Sequence, residues 1–153
     1  MIFVGMDPGV TGGIAIIDHQ SIELMKMSDT TPGEIADVLW KLGPDVSCVI
    51  EKVGAGPRMA SSAAFKFGKS AGILEGLVIT SNIPYDLVTP QKWQKHFGLI
   101  RKGMSFGDSR KKKLNREKAQ ALYPSLRKKI VNGTADALLI ATYARDLEEG
   151  GTE

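Results

Sequence analysis

A chain of 153 residues with 42% hydrophobic and 24% charged residues has the composition of one ordinary globular domain with a sizeable core. No apolar run approaches the ~20 residues that span a membrane, and the single cysteine, Cys48, excludes an internal disulfide or a cysteine-based zinc site. The net charge of +3 is unevenly placed: residues 101–129 hold eleven Lys and Arg against Asp108 and Glu117, which suits a polyanionic partner, although a solvated helix face reads the same way.

The chain opens with MIFVGMDPGVTGGIAII, an apolar run broken by one acid and a glycine-rich turn. Ile2–Met6 reads as a buried strand and Ile14–Ile17 as its antiparallel partner, which leaves Asp7 at the end of a central strand. A carboxylate there is costly to bury unless it is paired or holds a cation. Gly9, Gly12 and Gly13 would let a phosphate or metal approach the backbone, but Asp-Pro-Gly is also an ordinary turn sequence. The first strand begins at once, with no basic segment and cleavage site before it, so the expected compartment is the cytoplasm.

Ser21–Lys26 reads as a third strand. Thr31 then caps a helix with Pro32 at its first position; its apolar face runs through Ile35, Val38, Leu39 and Leu42 and stops at Gly43-Pro44. Val46–Glu51, VSCVIE, is a second buried strand that ends in an acid, with Cys48 packed inside it. The loop Lys52–Ser62 carries Gly54, Gly56 and Pro57. A long helix follows from about Ser61 to Ser81, stacking Phe67, Ala71, Leu74 and Val78 on one face. Its Gly68, Gly72 and Gly76 recur every four residues. Each costs up to about 1 kcal/mol against Ala, which close packing against the sheet or another subunit would offset. Tyr85–Val88 is a further strand, and Thr89-Pro90 opens the short helix QKWQKHF, ended by Gly98. Leu99–Ser109, with Gly103 and Gly107, reads as a mobile loop. A basic helix spans about Arg110 to Tyr123, Pro124 follows, and a closing helix runs near Thr134–Leu147 with Ala137, Leu138, Ala141 and Ala144 apolar. No repeat or long linker divides the chain, so residues 1–147 are expected to form one domain and 148–153 a polar tail.

Two hairpins followed by alternating strands and helices predict an α/β fold with a mixed sheet and helices on its faces. If the strands of Asp7 and Glu51 are adjacent and parallel, both acids emerge at the same end, and the closing helix need only bring Asp136 beside them. Clustered carboxylates raise one another's pKa unless a divalent cation neutralises them. Oxygen-only ligands favour Mg²⁺ or Mn²⁺. Two such ions about 4 Å apart activate a water and stabilise the leaving oxygen of a phosphodiester. The chemistry implied is hydrolysis of nucleic acid.

The blocks MDPGVTGGIAII, VIEKVGAGP, FKFGKSAG, VTPQKWQKHFG and ADALLIATYAR, in this order and spacing, resemble the RuvC-type Holliday junction resolvases, particularly the short forms of bacteriophages. The resemblance covers nearly the whole chain. It implies an RNase H-like mixed sheet of about five strands with helices on both faces, a homodimer, and resolution of four-way junctions or other branched DNA by paired Mg²⁺-dependent nicks with two ions per site. For a bacteriophage protein the compartment would be the cytoplasm of a bacterial host cell. Asp7, Glu51 and Asp136 match the family's catalytic, metal-holding acids. The family's fourth acid, or histidine, stands three or four residues before the helix Asp, where this chain has Gly133 and Asn132. Asn132 would lie on the same helix face as Asp136, so it is read either as a neutral substitute ligand that impairs cleavage or as the N-cap of the closing helix.

The resemblance also makes Lys92 the favoured active-site lysine, with Lys95, Arg110, Lys111, Lys112 and Lys113 as candidate DNA contacts. Trp93 and Phe97 read as core rather than as base-stacking groups, and His96 receives no role. Cellular members wedge a phenylalanine into the junction after the second acid; this chain has Gly54 near that place, which leaves Arg58 or Met59 at the loop tip for the task. DPGVTGG also resembles the phosphate loop of actin-like and sugar-kinase ATPases, but 153 residues leave no room for their second lobe, and no nucleotide cofactor is expected. The remaining alternatives are an RNase H-like nuclease for flaps or RNA–DNA hybrids, and a non-catalytic protein that binds branched DNA.

Overall fold

Strand periodicity decides what each face of the sheet carries. The computed structural model describes residues 1–104 and 108–150. Its strands are β1 (Ile2–Asp7), β2 (Gly13–Ile17), β3 (Ile22–Lys26), β4 (Val46–Glu51) and β5 (Tyr85–Val88). They form one mixed sheet in the order β3-β2-β1-β4-β5, with β1–β2 and β2–β3 antiparallel and β1–β4 and β4–β5 parallel. Helices α1 (Pro32–Trp40), α2 (Ser61–Thr80), α3 (Pro90–His96), α4 (Ser109–Leu122) and α5 (Asn132–Glu149) cover it on both sides.

Successive side chains of a strand point to opposite faces. In β1, Val4 and Met6 face α1 and α2; in β4, Val46, Cys48 and Ile50 do the same, joining Ile35, Leu39, Leu74 and Val78 in one buried cluster. The alternate residues, Phe3 of β1 and Val49 of β4, belong to the second cluster, with Trp93 and the apolar residues of α5. Asp7 and Glu51 continue that second set, so strand parity alone turns both acids towards α5.

Glycine sets how closely α5 can lie. A Cβ on Gly5 would collide with the backbone of Ala137 and Ala141, and one on Gly13 with the Gly133 carbonyl. Two strand positions without side chains therefore let helix backbone rest directly on sheet backbone, and α5 is buried continuously from Thr134 to Ala144. Asp136 stands one residue before the helix's contact with Gly5. The helix begins at Asn132 and ends at Glu149, so it reaches into the stretch read as a tail.

The other helices follow their sequence signals. Thr31 and Glu34 form a reciprocal capping box on α1. Asp108 caps α4 by accepting from the Arg110 N–H at 2.9 Å, which starts that helix at Ser109. Helix α2 buries Ala71, Leu74 and Val78 against the sheet. The Cβ positions of Gly68, Gly72 and Gly76 meet nothing within 4 Å, so sheet packing is not what those glycines serve. Residues 105–107, which include Gly107 of the loop read as mobile, and 151–153 of the expected tail lie outside the described residues. Among the described residues no helix is long and apolar enough to cross a membrane.

Candidate active site

The parallel register of β1 and β4 pairs Met6 with Ile50, so Asp7 and Glu51 follow side by side at the same end of neighbouring central strands. Asp7 is 6% exposed and Asp136 5%, while Glu51 is half-buried. Burial is the main cause that holds the Asp7 carboxyl well above its usual range; the charges of Asp136 and Glu51 push it further, and Lys112 offsets part of this. Burial likewise pushes Glu51 up to about 7, where the hydrogen bond from Trp93 and the charge of Lys112 pull down and Asp136 pushes up. The charges of Asp136 and Glu51 thus act on Asp7, and that of Asp136 on Glu51.

Helix α4 supplies the positive side of the site. Lys112 Nζ lies 2.7 Å from Asp136 Oδ2, and Asn115 Nδ2 donates to Asp136 Oδ1 at 2.8 Å. Burial works against the Lys112 ammonium, but Asp136, Asp7 and Glu51 outweigh it and keep the group above the ordinary lysine range. From α3, the buried Trp93 donates its indole N–H to Glu51 Oε2 at 2.7 Å. Trp93 is core, as its spacing suggests, and it also orients an acid. A buried indole N–H needs an acceptor, and that was the available signal. Asn115 is a buried site residue that the sequence reading missed; Lys112, Asn115 and Ala119 form a stripe at helical spacing that points to α5.

The remaining candidates fall elsewhere. Asn132 is exposed, and its Oδ1 accepts from Arg116 Nη1 at 3.0 Å; it is the first residue of α5 rather than its cap, and Thr134 Oγ1 accepts the Val131 N–H at 3.2 Å instead. A Cβ at Gly133 would lie 3.0 Å from the Thr11 carbonyl oxygen, so the turn between β1 and β2 occupies the space an acid there would need. Lys92 and Lys95 are exposed on α3, and neither contributes to the shifts of the acids. Lys112 is the lysine that reaches them. It therefore differs from Lys113, which faces solvent beside Glu117 at 3.8 Å, and from Arg110, which is bound to Asp108 at 2.6 Å. Lys111 is half-buried beside them on α4, Arg58 is exposed and Met59 half-buried in the loop after β4. His96 pairs with Asp146 at 2.9 Å, away from the acids on the last turns of α5. A surface groove lined by Asp18, His19, Ser125 and Arg145 opens at the β2–β3 turn, the opposite end of the sheet from Asp7.

The donor set suits a hard cation: it is oxygen-only, with two carboxyls raised by burial and by neighbouring acids in the way a dication would relieve. Among the described residues, no three acid, imidazole or thiol groups are gathered tightly enough to enclose one ion.

No family model and no curated protein sequence matches the chain. Among solved structures, the chain is similar to Thermus thermophilus RuvC in complex with a Holliday junction substrate, with a TM-score of 0.69, 16% identity, and coverage of 99% of this chain and 98% of that one. A second structure of Thermus thermophilus RuvC matches with a TM-score of 0.60 and 16% identity, over 98% and 97% of the two chains. The fold is therefore RuvC-like, an RNase H-like mixed sheet covered on both faces.

Proposed function

We propose that this chain is a divalent-metal-dependent endonuclease that resolves four-way DNA junctions as a homodimer. The observation that carries the reading is the charge-coupled group of Asp7, Glu51 and Asp136, assembled from three separate elements at one end of the sheet and bordered by the basic helix α4. The likeness of the whole chain to a RuvC bound to a Holliday junction supports branched DNA as the substrate. The short bacteriophage form remains a reading of the sequence blocks.

In this reading the three carboxylates hold Mg²⁺ or Mn²⁺. Bound there, the ions would lower the pKa of a water and stabilise the departing oxygen of the phosphodiester. Trp93 fixes Glu51 and Asn115 fixes Asp136. Lys111, Lys113 and Arg116 on α4 offer phosphate contacts, and Arg58 and Met59, in the loop after β4, are the residues assigned to the junction centre. Asn132 stands where a fourth acid would, one helical turn before Asp136. Arg116 holds its amide oxygen, so Asn132→Asp is expected to change nicking less than twofold; a tenfold gain would make this chain the impaired form.

The homodimer has its own support. On α2, Phe65 is 71% exposed and Ile79 58%, and both share a helix face with Gly68, Gly72 and Gly76, opposite the face buried on the sheet. A second copy lying along this stripe would cover it and give the glycines a packing role.

The test is incubation of the protein in Mg²⁺ with a labelled four-way junction and with linear duplex of the same sequence. Nicks confined to the junction, and lost in Asp7→Asn, Glu51→Gln and Asp136→Asn variants that still bind it, are expected. A second reading, a non-catalytic protein that holds branched DNA, is favoured by one observation: Lys112 already neutralises Asp136. Mg²⁺-dependent nicking would exclude it.

A further inference from the structure

Both oxygens of Asp136 are occupied from one side of α4, Oδ2 by the Lys112 ammonium at 2.7 Å and Oδ1 by the Asn115 amide at 2.8 Å. Asp136 is 5% exposed, so a carboxylate left there without a cation would carry a heavy desolvation cost. Lys112 is the cation in contact with it, and on the reading above the same carboxylate holds a metal ion. A divalent ion and an ammonium cannot share one oxygen at contact distance without strong repulsion. We infer that Lys112 is an exchangeable internal counter-ion: it holds Asp136 in the metal-free protein and leaves it when a divalent ion arrives.

Position on the helix favours exchange over a permanent pair. The Lys112 side chain is 45% exposed, so its ammonium reaches solvent by rotating about its own stem, with no movement of α4. Asn115 is buried and holds the other oxygen, which keeps Asp136 in place during the exchange.

The inference rests on the metal-dependent reading and is tested by metal binding without DNA. Mn²⁺ is titrated into the wild-type protein and into Lys112→Met, Lys112→Arg and Lys118→Met at one pH and ionic strength, followed by the electron paramagnetic resonance of free Mn²⁺. Lys112→Met is expected to bind about tenfold more tightly than wild type, while Lys112→Arg and Lys118→Met stay within about threefold. Lys118 lies on the same helix and removes the same charge without touching Asp136, so equal tightening there would reduce the effect to general electrostatics and overturn the exchange. Unchanged affinity in Lys112→Met with wild-type binding intact would overturn the exchange alone. No Mn²⁺ binding by any form would overturn the metal reading together with it. Should Lys112→Met fail to fold, the ammonium resonance of Lys112 in the wild type decides: its loss or shift at saturating Mg²⁺ is expected, and an unmoved signal contradicts the exchange.

Discussion

Glu51 carries the most measurable consequence of the site. Its carboxyl is pushed up to about 7 and that of Asp7 is raised as well, so both favour the protonated form in the folded protein. Acids raised in this way contribute stability below their unfolded pKa, and that contribution is lost as pH rises through the folded value. Without metal, thermal stability should therefore fall between about pH 5 and pH 8, by on the order of 1–3 kcal/mol. Saturating Mg²⁺ should flatten the fall, because ion binding and deprotonation are linked. Melting curves across pH with and without Mg²⁺ check this; a metal-free protein that gains stability over that range contradicts it. Trp93→Phe removes the indole donor that lowers Glu51. Its nicking profile should shift to higher pH, alongside a stability loss of about 1–3 kcal/mol from the lost bond and volume; an unshifted profile would leave Trp93 as core only. At this scale the placement of Asp7 and Glu51 was legible, because both end apolar strand runs and those strands are adjacent and parallel. Lys112 was not: three consecutive lysines sweep most of a helix's circumference, and only the burial of Asn115 and Ala119 fixes which of them faces α5.

Helix α5 lies directly on strands β1 and β2 because Gly5 and Gly13 let backbones touch. Gly5→Ala puts a methyl into the Ala137–Ala141 backbone, which cannot yield as a side chain can. A loss of about 3 kcal/mol or more is expected from such overpacking, together with a fall in nicking as Asp136 moves away from Asp7. Denaturant unfolding and nicking rates check this, and an unchanged midpoint would show that the helix has room to shift. On α2 the repeat of Gly68, Gly72 and Gly76 faces open space. Gly72→Arg should leave the helix intact, since its Cβ meets open space, and should yield a monomer in light scattering at unchanged far-UV circular dichroism. A persistent dimer would move the interface to another surface. Most elements were readable because caps and breakers such as Thr31, Gly43-Pro44 and Thr89-Pro90 are local signals. The start of α5 was not, because Val131 offers no capping side chain and tertiary packing on Gly13 draws the helix back to Asn132. The glycine repeat of α2 suggested close packing against the sheet or another subunit, and the sheet is not its neighbour, since the three Cβ positions meet nothing within 4 Å.

In the molecule as a whole, charge and topology act together. The surplus of Lys and Arg over residues 101–129 runs along α4 and its flanks, beside the end of the sheet where the acids gather. Junction affinity should then fall by roughly a hundredfold or more between 50 and 200 mM salt, as phosphate contacts release counter-ions; a salt-independent affinity would exclude the basic helix from binding. The mixed sheet was legible from two hairpins followed by alternating strands and helices, whereas its order, β3-β2-β1-β4-β5, depends on where the two crossovers return. The most direct measurement of the central claim uses a supercoiled plasmid that extrudes a cruciform. In Mg²⁺ the wild-type protein should linearise it by paired nicks across the junction, and Asp136→Asn should bind it and leave it supercoiled. A wild-type protein that binds the cruciform but leaves the plasmid uncut in Mg²⁺ and in Mn²⁺ would contradict the claim that Asp7, Glu51 and Asp136 form a nuclease centre.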